Sequence, residues 1–296
     1  MGLFGHARMP PLGGATGWLN SEPLGPAELR GHVVLVNFWT WTCINWLRQE
    51  PYVRAWWQAY RGEGLLVVGV HTPEFSFEHD VEGVRRATRE RAIDHPVAID
   101  NDYAVWRAFA NRYWPALYFV DREGVIRASH FGEGDDERSE RTIQRLLGVE
   151  RELVSVEGSG IEAQADWAHL RTPETYLGSD RAERLRRNWT LTGEWTTGGE
   201  RVSLDRAGGA IAVRFEARDA HLVMAAAAGE PIPFRVLLDG EPPGASHGVD
   251  VDADGNGVLG DGRLYGLVRQ RDAVRQRTAE ITFLAPGAEA YAFTFG

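Results

Sequence analysis

The stretch Val33–Trp46, VVLVNFWTWTCINW, constrains the fold more than any other part of the chain. Its first seven residues are nearly all apolar and rich in β-branched side chains, the pattern of a strand covered on both faces in a parallel sheet. The run stops at a turn carrying Cys43. INWLRQEPYVRAWWQAYRGEG then places Leu47, Val53, Trp56, Trp57 and Tyr60 at helical spacing, and Gly62 and Gly64 end the pattern. Pro51 falls inside this helix and predicts a kink. A thiol at such a helix start meets unpaired N–H groups and the positive end of the dipole, which favour thiolate over thiol.

The rest of the first half repeats the theme. LLVVGVH (65–71) reads as a second buried strand, and a polar amphipathic helix is predicted between Glu78 and Arg91. A short strand over 97–99 and a helical DYAVWRAFANRY follow. The strands Ala116–Asp121 and Val125–His130 flank DREG, a hairpin turn, and a helix over 139–147 closes the series. The order implies an α/β domain over 1–150, with one crossover unit followed by a hairpin. Residues 151–175 lack periodicity and read as a connector. Over 176–296 seven short strands separated by Gly, Pro and Asp turns predict an all-β sandwich of jelly-roll type, similar in outline to carbohydrate-binding modules.

Several classes are excluded or disfavoured early. The net charge of −10 argues against nucleic acid as a partner, and all 32 basic residues are Arg. A single cysteine permits no internal disulfide and no thiolate-rich zinc site. No window approaches ~18 uninterrupted apolar residues, so no transmembrane segment is expected. MGLFGHARMPPLGG does not read as a secretory signal. The expected location is cytoplasmic by default, and periplasmic or extracytoplasmic if an export segment is missing.

The chain resembles the thioredoxin-like domains of the TlpA/DipZ thiol–disulfide oxidoreductases. FWT-x-x-C-I-N around Cys43, HTPEF (71–75), NRYWPA (111–116) and FGEGD (131–135) carry the resemblance over about residues 14–150. ETYLGSDRAER (174–184), HGVDVDADGNG (247–257), RLYGLVRQ and the closing AYAFTFG extend it to the family's sandwich domain. The resemblance implies that Cys43 is the attacking thiol of a turn formed by Thr40, Trp41, Thr42, Ile44, Asn45 and Trp46. Pro51 matches the kink proline of the active-site helix. Trp114 and Pro115 match the cis-proline loop that holds substrate backbone. Asn37 stands where thioredoxin itself has a buried relay carboxylate.

Trp46 occupies the place of the second cysteine, which in the family releases the substrate from the mixed disulfide. The two-thiol cycle therefore fails at that step. The implied function is a monothiol oxidoreductase: Cys43 attacks a protein or small-molecule disulfide, and an external thiol resolves the product. No cofactor is expected. His71 and Arg112, with Arg48, are the nearest candidates to assist the thiol by element order, although His71 also fits a hydrogen-bonded structural residue. Trp41, Trp46 and Trp114 are expected at the surface as an apolar rim around Cys43. Two alternatives stay open. One is a redox-inactive binding protein for a peptide or glycan. The other is a one-Cys peroxidase, since Thr40 echoes a peroxiredoxin T-x-x-C, but Val36 stands where that family has Pro.

Two features of the second half remain. Asp250, Asp252 and Asp254 have the spacing of a calcium loop, but Gly257 and the strand-like flanks favour an acidic turn, so no metal is favoured. Tyr176, Trp189, Trp195 and Tyr265 have side chains suited to stacking on sugar rings, and equally to a core.

Overall fold

The computed structural model describes residues 7–181, 188–227 and 229–296. The chain divides into two compact units, Met1–Glu162 and Ala163–Gly296. In the first, six strands form one sheet: β1 (Gly17–Leu19), β2 (Val33–Trp39), β3 (Leu65–His71), β4 (Val97–Ile99), β5 (Ala116–Val120) and β6 (Ile126–Phe131), in the order β1-β4-β3-β2-β5-β6. Five helices accompany them: α1 (Pro26–Leu29), α2 (Ile44–Tyr60), α3 (Val81–Glu90), α4 (Ala104–Ala108) and α5 (Asp136–Leu147). This is the thioredoxin-like α/β fold.

β2 is apolar throughout because it is central. Val33 and Leu35 pack with Trp56, Tyr60 and Ile143 from α2 and α5 on one face. Val34, Val36 and Phe38 pack with Val105 and Phe109 on the other. Neither face meets water, so neither tolerates polar alternation. β2 and β3 are parallel, and their register pairs Trp39 with His71. The segments that follow the two strands, the Cys43 turn and the HTPEF loop, therefore leave the sheet side by side.

β1 and α1 were not read from the sequence, and two further details differ. β3 and β4 are also parallel, so there are two crossovers in place of one. β4 has only three residues, too few to reveal its direction in a pattern. The expected helix over 102–113 shrinks to the five residues of α4, because Asp100 caps its start and Ala110 takes a left-handed φ of 50°. The DREG hairpin is as read: Asp121 Oδ1 accepts the N–H groups of Glu123 and Val125, and Gly124 supplies the positive φ of 78°.

The connector read over 151–175 is shared between the units. Glu140 on α5 accepts the Val154 N–H at 2.9 Å and the Trp56 indole N–H at 3.2 Å. Glu162 pairs with Arg91 at 3.0 Å. Further on, the Arg171 N–H donates to the Glu216 carbonyl, within the second unit.

The second unit is a sandwich of antiparallel sheets. One sheet runs β15 (Arg263–Arg269), β12 (Asp219–Ala226), β17 (Ala288–Phe295), β10 (Val202–Leu204) and β9 (Trp195–Thr197), with β7 (Thr175–Tyr176) also on β17. The other runs β14 (Asn256–Leu259), β13 (Ile232–Leu238), β16 (Gln276–Phe283), β11 (Ala210–Glu216) and β8 (Trp189–Thr192). Ile211, Val213, Phe215, Phe234, Val236, Ile281 and Phe293 lie in the core between them. The seven expected strands are present. β7, β8, β9 and β14, of two to four residues each, are additional. Residues 182–184 of the ETYLGSDRAER segment lie outside the described residues.

Candidate active site

Cys43 is the N-cap of α2, with extended backbone angles of φ −73° and ψ 112°. Its N–H donates to the Thr40 carbonyl at 3.4 Å, and its carbonyl accepts the Leu47 N–H at 2.9 Å. Of Thr40–Trp46, only Cys43 and Asn45 are half-buried; Thr40, Trp41, Thr42, Ile44 and Trp46 are buried. Pro51 lies within α2 and is buried. The Cys43 thiol donates to the Trp114 carbonyl, with Sγ at 3.6 Å, and the Trp114–Pro115 peptide is cis. The Trp114 indole N–H donates to the Thr72 carbonyl at 3.0 Å, and the Pro115 carbonyl accepts the Gly132 N–H at 2.8 Å. The proline loop thus joins the Cys43 turn, the loop after β3 and the start of the FGEGD segment.

The expected tryptophan rim is corrected. Trp46 is 1% exposed, stacks on Trp39 with centroids 4.4 Å apart, and donates from Nε1 to Asn37 Oδ1 at 3.2 Å. The Arg91 guanidinium lies 5.6 Å from the centroid of the Trp46 ring. Trp41 is buried as well, stacked on His71 and packed against Gly83 of α3. Only Trp114 of the three is partly open, and it packs on Trp106. The first turn of α2 faces the sheet, so a large side chain at position 46 has nowhere to go but inward. Asn37 continues the contact: its Nδ2 reaches Gln49 Oε1 at 3.4 Å, and Gln49 Nε2 donates to the Gly132 carbonyl at 3.0 Å.

The candidate assisting residues differ in burial and partners. His71 is fully buried against Trp39 and Trp41, and neither ring nitrogen meets a hydrogen-bond partner. Its burial agrees with the structural role read for it, and only the expected hydrogen bond is corrected. Burial, with the charge of His79, drives its pKa down to about 3, so the ring stays neutral at ordinary pH and supplies no positive charge to a thiolate. Arg112 is exposed on the loop before Trp114. Arg48 is buried and pairs with Glu133 of FGEGD at 3.0 Å. Burial holds the Glu133 carboxyl above its ordinary value even with that partner.

Sequence reading missed two buried carboxylates near the turn. Glu50, one turn of α2 beyond Trp46, is pushed up to about 7 by burial, against the pull of Arg54 and Arg91. Glu78, just after HTPEF, accepts the Thr42 hydroxyl at 2.7 Å and is also raised to about 7 by burial. The available signal for Glu78 was its spacing three residues after Phe75, where a carboxylate can reach back to the N–H groups that open a helical turn.

In the second unit, Asp250 accepts from Arg263 at 2.7 Å and from the Gly266 N–H at 2.7 Å. Asp252 accepts the Asn256 N–H at 2.7 Å, closing a tight acidic turn, while Asp254 is exposed. Among the described residues, no group of three His, Cys, Asp or Glu is placed to share a metal ion. Tyr265 is buried and its hydroxyl donates to the Asp261 carbonyl. Trp189 and Trp195 pack against the sandwich core. Tyr176 is half-buried, with its hydroxyl on Glu174 and the Arg181 guanidinium 4.8 Å from its ring centroid. Among the described residues, no helix is long and apolar enough to cross a membrane.

Comparison with known proteins follows the same division of the chain. Residues 19–129 match the model of the AhpC/TSA family, and 184–296 that of the thioredoxin like C-terminal domain. The thiol-disulfide oxidoreductase YkuV of Bacillus subtilis is 30% identical over 139 residues, which cover 93% of YkuV and 47% of this chain. The chain belongs to the thioredoxin-like thiol–disulfide oxidoreductase family. Protein DipZ of Mycobacterium bovis is 35% identical over 258 residues, 79% of this chain and 36% of DipZ. The chain thus spans about a third of the length of that relative. A solved thioredoxin-like protein in its oxidized form is 31% identical, with a TM-score of 0.45, covering 49% of this chain and 98% of its own.

Proposed function

We propose that the protein is a monothiol oxidoreductase that works through mixed disulfides at Cys43. The observation that carries this reading is the half-buried Cys43 at the start of α2, with its sulfur beside the Trp114 carbonyl of the cis-proline loop. In the first step the Cys43 thiolate attacks one sulfur of a substrate disulfide. The new S–S bond forms as the old one breaks, and the departing thiolate takes a proton from water. In the second step an external thiolate attacks the mixed disulfide, Cys43 leaves as thiolate, and the substrate departs bonded to the external thiol. Trp46 has no thiol to compete with that second reagent, so resolution depends on the reagent's concentration.

Folded full-length protein treated with an aromatic disulfide probe at neutral pH is expected to take up one equivalent at Cys43. An added small thiol should release it at a rate first order in that thiol. Cys43→Ser should take up none. A wild-type Cys43 that stays unmodified until the protein is unfolded sinks the proposal and leaves the redox-inactive binding reading.

A further inference from the structure

The turn that carries Cys43 is held by a carboxylate from another segment. Glu78 sits in the single helical turn Ser76–His79 and is fully buried. Its Oε2 accepts the N–H groups of Glu74 at 2.6 Å and Phe75 at 3.0 Å. Its Oε1 accepts the hydroxyl of Thr42, the residue immediately before Cys43. The Thr40 hydroxyl is buried beside it and favours its charged form. Burying a carboxylate is costly, and the donors gathered here are what offset that cost. An apolar side chain would fill the same space without tying the two segments together.

We propose that Glu78 is a positioning residue for Cys43: acting through Thr42, it holds the thiol-bearing turn against the loop after β3 and so sets how fast the thiol reacts. The inference rests on Cys43 being the attacking group. A pH dependence follows from the same geometry. Burial is the main cause that lifts the Glu78 carboxyl to about 7, the nearby hydroxyl and N–H donors oppose it, and the charge of Glu74 adds to it. The other ionisable groups on the surrounding elements include His79 and Asp80 on its own side, Glu82, Arg85 and Arg86 on α3, His71 at the end of β3, Asp100 and Tyr103 after β4, and Cys43. When ionised, Glu78 accepts from Thr42 and from both N–H groups. When protonated, its own O–H must find an acceptor, Thr42 Oγ1 or Thr40 Oγ1, and a hydroxyl that had donated to it must rotate away. Glu78→Gln can imitate that second arrangement, with its carbonyl on the two N–H groups and its NH2 on Thr42.

The test is the rate of Cys43 alkylation by iodoacetamide, followed across neutral pH on the full-length chain. The wild type should show an inflection near pH 7 in addition to the ionisation of the thiol. Glu78→Gln should follow a simple one-thiol curve. Thr42→Val should react more slowly by roughly tenfold, the equivalent of one charge-assisted hydrogen bond. Thr42→Ser, which keeps the hydroxyl, should react at the wild-type rate and guards against a general folding defect. A Glu78→Gln profile that superimposes on the wild type, or Thr42→Val at the wild-type rate, overturns the role of Glu78 alone. A wild-type thiol that is inert at every pH overturns this inference and the proposed function together.

Discussion

Replacing Trp46 with Ala is expected to lower the unfolding free energy by about 3–5 kcal/mol, the usual range for removing a large aromatic side chain from a core. The indole is sealed between Trp39 and the Arg91 guanidinium, so no neighbouring side chain is free to collapse into the space it leaves. Its loss also strips Asn37 Oδ1 of a donor in a buried site, a further cost of roughly 1–3 kcal/mol within the same loss. Trp46→Phe separates the two parts, since it keeps a stacked ring and loses only the N–H. Chemical denaturation followed by far-UV circular dichroism measures both variants. A loss below about 1 kcal/mol for Trp46→Ala would show that the indole is not the packing element described. The obvious repair, Trp46→Cys, recreates a C-x-x-C turn but opens nearly the same cavity. Its redox activity is interpretable only where that variant is shown to be folded.

The second large effect lies at the Arg48–Glu133 pair. Both side chains are nearly sealed from solvent, and the pair joins α2 to the FGEGD segment. Arg48→Met should cost about 3–5 kcal/mol, because a buried carboxylate then stands without its cation. Burial already holds Glu133 above its ordinary value, and removing Arg48 raises it further. A carboxyl raised by folding destabilises the folded state as pH climbs past its unfolded value. The defect of Arg48→Met should therefore be small in acid and grow toward neutrality. Adding Glu133→Leu to Arg48→Met should recover much of the loss, since an apolar pair of similar volume carries no desolvation cost. If the double variant is as unstable as the single at neutral pH, the defect comes from lost packing of the Arg48 stem and not from the stranded charge.

The architecture was legible wherever a strand is buried on both faces or a turn has a specific chemistry. β2, β3 and the DREG hairpin are in place as read, and the Cys43 sulfur lies beside the Trp114 carbonyl, at the cis Trp114–Pro115 peptide. Four of the sandwich strands, β7, β8, β9 and β14, were not legible, because two to four residues hold little pattern, although β10, also of three residues, was read. The misplaced tryptophans have a different cause. An aromatic next to a thiol reads equally as a binding rim or as core, and only the direction of the α2 first turn decides. Glu78 and Glu50 look like ordinary surface acids in sequence. Nothing local to them announces that Thr42 comes from thirty-six positions away, or that burial leaves both Glu50 oxygens without a hydrogen bond.

Six consecutive residues of α2, Trp46–Pro51, are buried, so this stretch, just after the half-buried Asn45, has no solvent side. A surface helix tolerates replacement on its outer face and reads in a mutational scan as a wave of about 3.6 residues. Here the wave should vanish. Arg48, Gln49 and Glu50, which by composition invite free exchange, are expected to be as intolerant as Leu47, producing an unbroken block beside Cys43. Beyond the block the ordinary ripple should return toward Gln58, which is exposed. Under the proposed function, an incoming disulfide would meet a thiol mounted on a helix whose Trp46–Pro51 stretch has no exposed face by which to open.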